Sequence, residues 1–163
     1  MPEHFPQLIV LAFVLLEVVA LLYDVWSLTI PNPVTYGIAS LFLIGGLLDP
    51  GAVAWLDHLA AGLLVLAICV ALFAFRIIGG GDVKLYAATA LWFGLSDLPG
   101  LLLLVGIAGI ALAIVLLSVR NFVPMVAGHL PEHLARYVPR SLLVGEGVPY
   151  GVAIAGSAIA LAF

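Results

Sequence analysis

Charge is scarce in this chain. Its 163 residues include only 5 Lys and Arg and 9 Asp and Glu, 9% in all, where soluble domains carry about 25%. That is too little to keep a surface in water, which excludes an ordinary soluble globule. Five cations in a chain of net charge -4 are also too few to grip a phosphate backbone, so nucleic-acid binding is excluded. Cysteine is nearly absent. The single Cys69 lies inside an apolar block, which leaves no disulfide framework and no CxxC zinc site. The first apolar block has no Lys or Arg before it and is followed by Tyr23 and Asp24 rather than by small residues. It reads as a retained anchor, not a removable signal.

Apolar residues are abundant. They make up 65% of the chain, with mean hydropathy +1.31, and they fall in long blocks broken by Gly, Pro and Asp. A helix spans a bilayer with about 17–25 such residues, because every backbone amide in hydrocarbon must be satisfied within the segment. The blocks predict an all-α polytopic membrane protein of about six transmembrane helices in a single domain, residues 1–163. The candidate spans are 5–23, 33–48, 57–75, 82–95, 98–119 and 148–163, the second, fourth and sixth being short. There is no internal repeat and no low-complexity tail. With the amino terminus outside, Arg76, Lys84, Arg120, Arg136 and Arg140 all fall on the cytoplasmic side, and the opposite loops hold Asp49, Asp57 and Asp97 without a cation. Losing one span would scatter the cations to both sides.

Asp24 closes the first span and Asp82 opens the fourth, so two crossings bring both to the cytoplasmic face. A carboxylate at bilayer depth costs about 2.5–3.5 kcal/mol on insertion scales, which makes it a functional candidate; the plainer reading is a helix end at the interface. Asp82 follows three glycines, Gly79, Gly80 and Gly81, which leave no side chain to block the approach of a substrate backbone. Two acids brought together cannot both ionise cheaply. One then holds a proton and acts as acid while the other deprotonates water.

Gly79-x-Gly81-Asp82 is the GxGD pattern of intramembrane aspartyl proteases, and Gly79-Gly80-Gly81-Asp82-Val83-Lys84-Leu85 resembles type IV prepilin peptidases, closest to their short tight-adherence (Flp pilus) branch. Asp24 followed by Ile30-Pro31-Asn32 resembles the family's first aspartate and its IPN element. Leu91-Trp92-Phe93-Gly94 and Pro149-Tyr150-Gly151 resemble its later elements. Presenilin-like GxGD proteases have more spans than this length permits. The resemblance implies an aspartic endopeptidase of the bacterial inner membrane that removes the leader of a prepilin or pseudopilin on the cytoplasmic side. Asp24 and Asp82 would be catalytic, and Gly79, Gly80, Gly81 and Lys84 would contact substrate, with no metal and no organic cofactor. The cysteine-bearing methyltransferase domain of the long branch has no counterpart here. Relatives usually place Arg or Lys between the first aspartate and IPN; here stand Val25, Trp26, Ser27, Leu28 and Thr29. An alternative of another class is a non-enzymatic ion-translocating or pilus-assembly subunit, using the same acids to pass protons.

Other residues have two readings. Glu17, two turns before Asp24 on nearly the same face, either tunes the acid pair or lines a water path, or else pairs with a polar group on another span. Lys84 points away from Asp82 on a regular helix, serving as a snorkelling anchor, a structural contact or a substrate contact. His129 and His133 flank Glu132, but Pro131 breaks the helix that a metal pair would need. Residues 120–147 read as a cytoplasmic interfacial loop, part-helical on the membrane. Gly147, Gly151 and Ala155 form a small face suited to helix packing.

Overall fold

The computed structural model describes residues 5–123 and 138–163. The expectations for His129, Glu132, His133 and Arg136 lie outside them, as does most of the interfacial loop. The described residues form five α-helices and no strand: α1 Gln7–Ser27, α2 Asn32–Leu48, α3 Trp55–Ala74, α4 Gly80–Arg120 and α5 Tyr150–Leu161. Pro33 stands in the first turn of α2, where its missing N–H costs nothing. Short 3-10 turns at Pro50–Ala52 and Arg140–Leu142 complete the order.

By length and composition α1, α3 and α4 can each cross a membrane, and α2 and α5 are shorter apolar helices. The outside of the bundle is apolar. Leu8, Leu15 and Leu22 on α1 and Leu103, Ile110 and Leu117 on α4 are all more than half exposed at seven-residue spacing. The acidic residue Glu17 is fully buried. Such an exposed apolar face belongs in lipid, not water, and this is a membrane protein.

Helix α4 is central, packing against α3, α5 and α2, while α1 lies on α5 and α2. Away from the acids, Trp92 is fully buried and donates its indole N–H to the Ile38 carbonyl at 3.1 Å. Its ring stacks on Phe13 at 4.2 Å and meets Phe5 edge-on at 5.5 Å, with Phe42 at 6.0 Å. These contacts fix the depth of α4 relative to α1 and α2.

The 41-residue α4 is broken at Gly94, whose φ of 68° and ψ of 177° are essentially open only to glycine. The two arms, 80–93 and 95–120, correspond to the fourth and fifth segments expected from sequence. The break takes away the helical bond between the Leu95 N–H and the Leu91 carbonyl, and α3 replaces both halves. Asp57 Oδ2 accepts the Leu95 N–H at 3.0 Å, and His58 Nδ1 donates to the Leu91 carbonyl at 2.7 Å. Asp57 thus caps the second arm, where a negative charge also suits the helix dipole. A Cβ at position 94 would collide with Asp57. Gly94→Ala is therefore expected to destabilise the protein by about 2–4 kcal/mol through backbone strain and the broken cap. Thermal unfolding in detergent measures it; an unchanged midpoint would contradict this account of the break.

Candidate active site

Asp24 sits in the last turn of α1, which runs about one turn beyond the expected boundary at Tyr23. It is only 4% exposed. The helix closes just beyond it, where the Leu28 N–H bonds to the Asp24 carbonyl at 3.0 Å and Leu28 turns left-handed, φ 53°. The Ser27 hydroxyl bridges the Tyr23 carbonyl and the Thr29 hydroxyl, each at 2.8 Å. This steers the chain through Ile30 and Pro31 into α2.

Asp82 is the third residue of α4, and its Oδ2 accepts the Gly79 N–H at 3.2 Å. That bond fixes the carboxylate over the helix amino terminus, where the dipole favours it. The glycines before it differ in use. A Cβ on Gly81 would lie 3.3 Å from both the backbone N and the Cβ of Ile30, and one on Gly79 would lie 3.0 Å from Asp82 Oδ2. Gly81 therefore lets α4 close against the turn that follows Asp24, and Gly79 makes room for the Asp82 carboxylate. Gly80 makes only ordinary contact with the Phe73 ring.

The third wall is α5. The backbone of Gly151 and Val152 faces the Asp24 carboxyl, and that of Gly151 also faces Asp82. A Cβ at Gly151 would stand 2.7 Å from Asp24 Oδ2 and 2.8 Å from Ile30 Cδ1. Gly151 is thus more than a packing residue, and Gly147 is not on that helix face at all because α5 starts after it. What holds α5 in place is Arg120, only 8% exposed. Its guanidinium donates to the Ser141 carbonyl at 3.0 and 2.7 Å and to the Gly147 carbonyl at 2.7 Å. The chain leading into Gly151 is thereby stapled to the end of α4.

The two carboxyl groups are close enough to feel each other's charge, and both line each of two cavities. The smaller, about 230 Å³, is lined by Asp24, Gly79, Gly80, Gly81, Asp82 and Lys84 together with residues 28–30 and Asn32. All six residues singled out from the sequence meet there. The larger, about 550 Å³, shares Asp24, Leu28, Thr29, Gly79 and Asp82 with the smaller and is further lined by Arg76, Ile78, Arg140, Glu146 and Tyr150. An exposed Arg140–Glu146 pair at 2.9 Å spans its rim. Lys84 does not reach Asp82; its Nζ donates to Asn32 Oδ1 at 2.9 Å, joining the start of α4 to the IPN element. Asp24 Oδ2 is buried and makes no hydrogen bond with the described residues. Among those residues no cluster of His, Cys, Asp and Glu has the makings of a metal site.

A sequence profile of the type IV leader peptidase family matches residues 9–114, about two thirds of the chain. The chain belongs to that family. Membership implies a protease, and the matched stretch contains Asp24, Asp82, the three glycines and Lys84. No curated protein and no solved structure gives a match.

Some features of this leader peptidase family member were not legible in sequence. Leu28 and Arg76, φ 53° and 59°, are the non-glycine residues with left-handed backbone among those described, and both line the larger cavity. Strained backbone of this kind collects at functional sites. Neither residue type signals such a conformation. The Arg120 staple was equally hidden, since its partners are carbonyls 21 and 27 residues away.

Proposed function

We propose that the protein is an aspartic endopeptidase that removes the leader of type IV, Flp-like prepilins at the cytoplasmic membrane face. One observation carries the reading: two acids from different helices, α1 and α4, line the same two cavities, so a chain lying in either is within reach of both carboxylates. In the reaction one ionised carboxylate takes a proton from water, whose oxygen attacks the scissile carbonyl carbon. The other, protonated, donates to the carbonyl oxygen. Collapse of the tetrahedral adduct breaks the C–N bond, and the leaving amine takes a proton back from the pair. Gly79, Gly80 and Gly81 line the path of the substrate backbone, and Lys84, held by Asn32, borders it.

The topology that goes with this reading is six crossings of a bacterial inner membrane in one domain, the amino terminus outside and residues 120–147 a cytoplasmic interfacial loop. Lateral entry of the apolar part of the substrate is supported by the seam between α2 and α3. Both lie on α4 and their backbones barely approach each other, the aromatic contacts of Phe42 with Trp55 and His58 closing one end; an apolar groove of about 260 Å³ remains between them, lined on α4 by Lys84, Ala87, Ala88 and Leu91.

Purified protein mixed with a prepilin in detergent tests the proposal. The leader is expected to be released, and release is expected to continue in excess chelator because the chemistry needs water and two carboxylates alone. Zinc-reversible loss of cleavage would contradict the mechanism. Proton flux through reconstituted vesicles without any cleavage would favour the ion-translocating alternative.

A further inference from the structure

Glu17 precedes Asp24 by seven residues on α1, and Thr89 follows Asp82 by seven on α4. Seven residues are nearly two full turns, so each pair shares a helix face about 10 Å apart along the axis. Both Glu17 and Thr89 are fully buried, and the Thr89 hydroxyl donates to Glu17 Oε1 at 2.7 Å while also lying 2.9 Å from the Leu85 carbonyl. The backbones of α1 and α4 do not pack closely on each other; α2 and α5 lie against both. The separation of the two helices that carry the acids is therefore bridged by side chains, and between the acids and the Phe13–Trp92 stack the polar bridge is this link. Ser157, six residues beyond Gly151 on α5, has a buried hydroxyl that, like Glu17 Oε2, has no partner among the described residues. A buried polar pair thus lies about two turns from the acids on the same two helices.

We propose that Glu17, through Thr89, is a positioning residue that sets the spacing of Asp24 and Asp82. This rests on the peptidase reading for its consequence but not for its geometry. The link needs a hydrogen-bonding side chain, not an acid. Glu17→Gln can accept from or donate to Thr89, so Glu17→Gln and Thr89→Ser keep cleavage within about threefold. Glu17→Met and Thr89→Val fill the space without the bond. In correctly folded protein each lowers kcat by about 10- to 100-fold, the scale of a 1 Å misplacement, and leaves KM within about twofold. The double variant Glu17→Met with Thr89→Val is no slower than either single one.

A readout independent of cleavage is the distance between spin labels at the exposed positions Tyr23 and Ile77, on a Cys69→Ala background. The wild type and Glu17→Gln give one narrow distribution, and Glu17→Met shifts or broadens it. An unchanged distribution and unchanged kcat in Glu17→Met would overturn the proposal, and so would a Glu17→Gln protein as slow as Glu17→Met, which would assign the carboxyl a proton-transfer role. A wild type that cleaves no prepilin while the label distances move would instead remove the peptidase reading and leave the positioning role standing.

Discussion

Asp24→Asn and Asp82→Asn are each expected to lower leader cleavage by about 10²–10⁴-fold, the range lost when a positioned acid or base is removed. The amide has the same size and keeps an acceptor for the Gly79 N–H that Asp82 Oδ2 now receives at 3.2 Å, so insertion and folding should survive. The lost function is proton transfer, which an amide cannot perform. Asp→Glu should fail almost as badly, because one methylene moves the carboxyl by about 1 Å and displacements of that order cost about 100-fold. Asp49→Asn, Asp57→Asn and Asp97→Asn should cleave normally. For Asp57 the choice of variant matters, since the Asn oxygen can still cap Leu95 and an alanine cannot. Normal cleavage by well-expressed Asp82→Asn would remove the peptidase assignment.

The second large effect is expected at a residue with no reactive group. Gly151→Val places carbon where Asp24 Oδ2 lies 2.7 Å and Ile30 Cδ1 2.8 Å from the first added atom. The helix amino terminus must then retreat or the carboxyl must move, and Arg120 resists the first by its bonds to Ser141 and Gly147. Cleavage should fall by about 100-fold with the protein still inserted, and Gly151→Ala should lie between. Gly156, on the same helix with nothing within 4 Å of an added Cβ, is the control, and Gly156→Ala should be neutral in both activity and thermal stability. Equal activity in Gly151→Val and wild type would mean that α5 does not frame the site.

The acids, the glycines and Lys84 were legible because their signal is local: a charge or a glycine run interrupting an apolar block shows without any partner. Segment boundaries came within a few residues for the same reason, and Gly94, read as a motif element, turned out to be a backbone break that no bulkier residue could adopt. The partners were not legible. Thr89 lies 72 residues from Glu17, Asn32 52 from Lys84 and Asp57 38 from Leu95, and each of these bonds is set by how helices cross, not by a period along one of them. Asp57 shows the consequence. Sequence made it one of several acids on the far face, whereas its neighbours across the helix interface make it the cap of a broken helix.

The most direct test of the central claim, that Asp24 and Asp82 act as one unit, is the residual cleavage rate of the protein carrying both Asp24→Asn and Asp82→Asn. Groups that work together lose nearly everything when either is removed. The double variant is therefore expected to cleave the prepilin at a rate close to that of the slower single variant, and a rate reduced by the product of the two single losses would show that the acids act independently and contradict the account.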